Sequence, residues 1–250
     1  MIDPITTLHV TCFKWGDLYT AGDVNRLHAM FARHLRLPHT LHCLTDDASG
    51  LHPDIVVHPL PDLSFCDWDI GNARKLVVFA RDFLGLEGQH LLQVDVDMVL
   101  IGDVSFLIDR PEKDFLIARG KRQSGNTRGH SAILRLKIGS MTAVWDDFVR
   151  DPAAAVQTCQ HHRGLPGHVS DQRWLDRCIA EMHFFEDDRI VYFRQDCGAH
   201  ADVELPEGHA IPPDGARIIS FAGRIKPQHV MHGPSGQWRH APFVAQNWRE

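Results

Sequence analysis

Leu91-Leu92-Gln93-Val94-Asp95-Val96-Asp97-Met98-Val99 carries an apolar run into two carboxylates and out again. On a strand, side chains alternate between faces, so Asp95 and Asp97 are expected on one face, with Val94, Val96 and Met98 turned into the core. Carboxylates at the carboxyl end of an apolar strand are costly to bury unless something compensates them. Parallel sheets bind ligands just outside such ends. Oxygen ligands suit Mg²⁺ or Mn²⁺, which bridge a few carboxylates to substrate phosphates. Asp95 and Asp97 are therefore candidate metal ligands. The plainer reading is a strand end with two solvated aspartates that cap the next turn.

The flanking sequence alternates between strand and helix patterns. Upstream, Leu8-His9-Val10-Thr11-Cys12-Phe13 reads as a first strand. Val24, Leu27, His28, Met30, Phe31 and Leu35 recur at helical spacing, with capping residues at 20–23 and Pro38 as the stop. Thr40-Leu41-His42-Cys43-Leu44 is a second strand and Ile55-Val56-Val57 a third, and residues 73–83 predict a helix. Downstream, strands are expected over 132–136, 190–193 and 217–221, and helices over 142–149 and 171–179. Loops are expected over 123–129 and 206–214. Such alternation predicts an α/β fold with a mostly parallel, Rossmann-related central sheet and helices on both faces. No repeat or linker divides the 250 residues, so one domain over 1–250 is expected.

With 44% apolar and 23% charged residues, the composition is that of a globular protein. A net charge of −6 without a basic block argues against nucleic acid as a partner. It does not exclude an anionic small molecule, because local cations can reverse the field in a cleft. The six cysteines form no Cys-x-x-Cys pair, and His161-His162 lies in a polar segment where a solvated loop is the expectation. No secretory signal and no membrane-spanning apolar run is visible, so a cytoplasmic protein is expected.

Seven segments, in order, resemble the family-8 type of glycosyltransferases and their bacterial relatives. They are Cys12-Phe13-Lys14-Trp15-Gly16-Asp17-Leu18-Tyr19, Leu44-Thr45-Asp46-Asp47, Arg74-Lys75-Leu76, Val94-Asp95-Val96-Asp97-Met98-Val99, Gly129-His130-Ser131-Ala132-Ile133-Leu134, Ser170-Asp171-Gln172-Arg173-Trp174-Leu175 and Phe221-Ala222-Gly223-Arg224-Ile225-Lys226-Pro227. The resemblance spans roughly residues 8–232 and implies a GT-A-like fold. It also implies a nucleotide-binding half over about 1–100 and an acceptor half over 101–250.

What the resemblance implies for the site can be written residue by residue. The donor would be a nucleoside diphosphate sugar, a UDP-sugar, and the acceptor a glycan or glycolipid; peripheral membrane association would suit the latter. Asp95 would bridge metal and donor, and Asp97 would be the firmer ligand of Mn²⁺ or Mg²⁺. Gly223 and Lys226 would meet the diphosphate, Lys75 (with Arg74 beside it) would contact the donor sugar or phosphate, and Tyr19 would stack on the base. Asp171 and Gln172 would orient the sugar for transfer with retention. Two departures stand out. Ser220 and Ala222 flank Phe221 where the family carries a metal-binding histidine, with His229 and His232 nearby as substitutes, and His130 stands where asparagine is usual.

Two other readings start from the same residues. Asp95-Val96-Asp97-Met98-Val99 locally fits a haloacid-dehalogenase-like phosphatase with Asp95 as nucleophile and Glu186-Asp187-Asp188 as the later acidic motif, although that motif usually opens the domain. A degenerate domain that binds a nucleotide sugar without turning it over is the third reading.

Overall fold

The computed structural model describes residues 4–64, 71–120, 128–159, 170–186, 188–202, 205 and 208–250. Cys66, His161, His162, Asp187, residues 123–127 of the loop expected over 123–129 and residues 206–207 of the loop expected over 206–214 lie outside these residues.

The main sheet has six strands: β1 (Leu8–Lys14), β2 (His39–Thr45), β3 (Val56–Pro59), β4 (His90–Val94), β6 (Phe115–Arg119) and β7 (Gly129–Lys137), in the order β3-β2-β1-β4-β7-β6. The first four run parallel, and β7 is antiparallel to both β4 and β6. A second sheet holds β5 (Met98–Leu100), β8 (Ile190–Tyr192) and β9 (Ile218–Ser220) in the order β5-β9-β8. The expected mostly parallel α/β sheet is therefore present. The strand β6 went unread in the sequence, and β3 is an edge strand whose Val56 and Val57 are exposed.

The expectation of one strand through residue 99 is corrected. β4 ends at Val94, Asp95 to Asp97 turn, and Met98 opens β5 in the other sheet. Val94, Val96 and Met98 still enter the core, at 1%, 1% and 0% exposure, so the alternation of burial was right although the strand breaks. The two aspartates thus sit on the junction between the sheets, pinned by Asp95 N–H donating to Ala132 O and Phe221 N–H donating to Asp97 O.

The helix α1 (Ala21–His34) buries Val24, Leu27, Met30 and Phe31, one stripe at helical spacing. Thr20 caps it through the Asp23 amide, and Asp23 returns the bond to the Thr20 amide. Such a capping box satisfies two otherwise orphaned donors and is worth about 1 kcal/mol. The helix expected over 73–83 is instead a 3-10 helix, Gly71–Phe79, followed by a short turn in which Leu84 takes a left-handed φ of 58°. The helices α2 (Ala143–Arg150), α3 (Pro152–Cys159) and α4 (Asp171–Cys178) pack near it, under Trp174 and Phe148. Three short helices complete the chain: α5 (Phe193–Asp196), α6 (Pro227–Val230) and α7 (Pro242–Asn247). Among the described residues no helix is long and apolar enough to cross a membrane.

Three histidines on neighbouring strands are joined edge to edge: His9 Nδ1 to His42 Nε2 at 3.0 Å, and His42 Nδ1 to His58 Nε2 at 2.9 Å. Burial, then the neighbouring rings, pushes His42 down to about 4, and burial lowers His9 and His58. Burial also takes His90 and His130 down to about 4. Each group is neutral when folded and protonates more readily when unfolded. The stability it contributes is whole above pH 6.5 and is lost as pH falls from 6.5 toward 4. At about 1.4 kcal/mol per unit, fully buried His130 alone accounts for a loss on the order of 3 kcal/mol by pH 4. Thermal melts should therefore be flat between pH 7 and 8 and fall steeply below 6.5. The His130→Asn variant should show a shallower acid slope, and an unchanged slope would refute the assignment.

Candidate active site

Five charged groups from four parts of the chain converge where the two sheets meet. The Lys75 ammonium, brought by the 3-10 helix Gly71–Phe79, lies 2.9 Å from Asp95 Oδ1 and 3.1 Å from Asp171 Oδ2 at the start of α4. Lys226, just before α6, places Nζ 2.5 Å from Asp97 Oδ2. The Tyr19 hydroxyl donates to the same oxygen at 3.0 Å and accepts from Lys226 Nζ at 3.1 Å. The side chains of Lys75, Lys226, Asp97 and Asp171 are all less than a tenth exposed, and Asp95 is 29% exposed.

The electrostatics follow from this burial. Burial pushes the Asp97 carboxyl above the usual carboxylate range; Lys226 pulls it back and Asp95 adds to the rise. Tyr19 is driven upward by burial and by the Asp97 and Asp95 charges, so its hydroxyl keeps its proton and donates. Burial works against the charge on Lys75, but Asp171 and Asp95 outweigh it and the ammonium persists. His130 is buried beside the cluster, 4.8 Å from the Tyr192 ring, and is neutral at pH 7. Three carboxylates against two ammoniums leave the cluster at −1.

Asp171 Oδ2 is 3.1 Å from Lys75 Nζ, yet makes no hydrogen bond among the described residues, because the ammonium is not lined up for one. That contact is electrostatic, and a fully buried acceptor is left open. Ser220 Oγ is likewise buried without a partner.

The fit of a divalent cation turns on the donor set. The hydrogen bonds described engage Asp95 Oδ1 and Asp97 Oδ2, leaving one oxygen of each carboxylate for another partner. Two hard oxygens and a net charge of −1 fit Mg²⁺ or Mn²⁺ completed by substrate phosphates and water. Each aspartate is also paired with a lysine, Asp95 with Lys75 and Asp97 with Lys226. His229 and His232 do not complete a site. His229 Nδ1 accepts the Lys226 amide, and neither histidine joins Asp95 or Asp97 in a set of three ligands among the described residues.

The other expected site residues are placed as follows. The Tyr19 hydroxyl holds Asp97, and its ring carries the Lys226 ammonium 5.3 Å from the centroid. Arg74 turns away onto the Trp15 ring, at 4.5 Å. Gly223 has a φ of 94°, and a side chain there would meet Arg194 Nη1 at 3.3 Å. Glycine is thus required by the turn itself. Gln172 follows Asp171 in the first turn of α4. The Lys75–Asp171 link and the neutral His130 went unread, since only tertiary packing joins segments this far apart. A shallow cavity of about 390 Å³ lies elsewhere, lined in part by Arg110, Arg119 and His183. It contains none of the clustered groups.

No protein-family model matches the chain, and no curated protein matches it. Solved structures do. The apo structure of WbbM, a bifunctional glycosyltransferase, superposes with a TM-score of 0.64 at 13% identity over 98% of this chain. GlyE, a glycosyltransferase of Streptococcus pneumoniae TIGR4, gives 0.55 at 15% identity over 88%. LgtC, a galactosyltransferase solved with donor and acceptor sugar analogues, gives 0.56 at 13% identity over 88% of this chain and 89% of its own. The chain spans only about half the length of WbbM and GlyE, at 50% and 56%. At these identities the likeness carries the fold, which is that of the GT-A glycosyltransferases.

Proposed function

We propose that this GT-A-folded chain moves a sugar from a nucleoside diphosphate sugar, a UDP-sugar, to a glycan or glycolipid acceptor. The observation that carries the reading is the convergence of Asp95, Asp97, Asp171, Lys75 and Lys226 at the carboxyl end of β4, where a parallel sheet presents its ligands. Residues 1–100 supply most of the nucleotide-binding half, and 101–250 the acceptor half. LgtC's pairing with donor and acceptor sugar analogues supports this substrate class.

Each residue has a role in this proposal. Asp95 and Asp97 would hold Mn²⁺ or Mg²⁺, which would supply Lewis-acid stabilisation to the departing diphosphate. Lys226 meets that diphosphate, and Gly223 keeps the adjoining backbone close and uncluttered. Asp171, paired with Lys75, orients the donor sugar, with Gln172 beside it in the first turn of α4. Transfer occurs with retention, as in the family-8 type. The acceptor oxygen bonds to the anomeric carbon on the face the leaving group quits, the bond to the diphosphate oxygen breaks, and the acceptor's proton passes to that oxygen.

A panel of UDP, GDP and ADP with Mn²⁺ tests this by thermal shift. At a hundred times Kd, binding adds about 2.7 kcal/mol. For a chain of this size that raises Tm by roughly 5–10 °C. UDP should give that shift, and Asp97→Ala should abolish it. Binding with neither hydrolysis nor transfer of UDP-sugars would favour a degenerate binding domain, and no shift with any nucleotide would end the transferase reading. The phosphatase reading loses its structural premise, because β4 sits mid-sheet after three earlier strands and Asp95 Oδ1 is held by Lys75.

A further inference from the structure

We infer that Lys226 is a placeholder: it neutralises Asp97 while the site is free of ligand and passes to the diphosphate when a divalent cation takes its place, so that cation and nucleotide bind only together. The inference rests on the nucleotide-sugar reading and adds an order of binding to it. Lys226 Nζ lies 2.5 Å from Asp97 Oδ2 and 3.1 Å from the Tyr19 hydroxyl, with both charged side chains under a tenth exposed. A cation arriving alone must take Asp97 from Lys226 and leave a buried ammonium without its counterion, the costly way to break a buried pair. A diphosphate arriving alone brings its negative charge to a cluster already at −1 and finds Lys226 engaged. Arriving together, each supplies what the other removes, because the cation satisfies Asp97 and the phosphate oxygens satisfy Lys226. Lys75 does not share the role, since two carboxylates hold it and one of them, Asp171, is no candidate ligand of the cation.

The one set of three ligand groups among the described residues, His28, His52 and Asp54, is a weaker candidate. Its two rings are stacked 4.9 Å apart, so their in-plane lone pairs do not converge, and His52 Nδ1 accepts the Asp54 amide.

The placeholder is tested by counting bound Mn²⁺ from the loss of its free electron-paramagnetic signal, and by calorimetric titration with UDP. Wild type should bind Mn²⁺ at least tenfold more weakly alone than with saturating UDP, and UDP should be tightened by the same factor when Mn²⁺ is present, as reciprocal coupling requires. Lys226→Met frees Asp97, so Mn²⁺ alone should bind at least tenfold tighter than to wild type, while UDP binding weakens. Equal Mn²⁺ affinity in wild type and Lys226→Met overturns the placeholder, as does equal UDP affinity in EDTA and in Mn²⁺. The reciprocal measurement needs wild type only, so a lack of coupling overturns the placeholder even if the variant does not fold. Absence of UDP, GDP and ADP binding under every condition fails the transferase reading itself, a result distinct from binding without coupling.

Discussion

Lys75→Met is expected to destabilise the fold by about 3–5 kcal/mol at pH 7.5, the usual cost of removing one partner from a buried ion pair. The ammonium stands between Asp95 and Asp171, and the Asp171 side chain is 5% exposed. Methionine fills the same volume but leaves two carboxylates facing each other without a cation. Adding Asp171→Asn removes one of the stranded charges and should return about 1–3 kcal/mol, the coupling typical of residues in contact. Urea unfolding of wild type, single and double variants at pH 7.5 measures both effects. A single variant within 1 kcal/mol of wild type would mean that the cluster is not held by this lysine.

Arg135→Leu should be comparably damaging, for a different reason. Arg135 is fully buried on β7, and no carboxylate salt-bridges it among the described residues. Its guanidinium instead donates to four backbone carbonyls, those of Leu107, Asp109, Arg110 and Lys113, at 2.8, 2.8, 2.7 and 3.3 Å. Burial lowers it to about 10, so it remains charged at neutral pH. That fork closes a loop in which Arg110 adopts a left-handed φ of 59°, a conformation that non-glycine residues hold only when their surroundings impose it. Leucine would strand four acceptors at once, and about 4 kcal/mol or more of stability should go with them. Arg135→Lys should rescue little, because three ammonium protons on a flexible stem cannot reproduce the planar fork. Amide exchange over residues 107–113 should accelerate in both variants. Protection there equal to wild type would show that the loop closes by itself.

The residues differ in how much of this they disclosed beforehand. β1, α1 and β2 were legible because their signals are local: a β-branched run, one apolar stripe with a capping box, and a proline stop. Asp95 and Asp97 were legible as carboxylates an apolar segment would not carry without a reason. The break between β4 and β5 was not, because burial alternates straight through it and only the second sheet shows that the chain changes partners. The helix expected over 73–83 has the right apolar residues but tightens to a 3-10 helix, a distinction that composition does not encode. The partners of the site residues were the least legible part. Nothing local in Lys75 points to Asp171, and nothing in Tyr19 points to Lys226, 207 positions away.

That last separation bears on how the protein matures. The charged cluster draws Tyr19 from early in the sequence and Lys226 from late in it, with Asp97 between them. A nascent polypeptide still missing its last strand and the turn after it lacks the Phe221 amide that pins Asp97 and the lysine that pairs with it. If the site takes UDP as proposed, its recognition reports that synthesis has passed that turn. An immobilised nucleotide would thus retain finished molecules from a translation mixture and let truncated ones through.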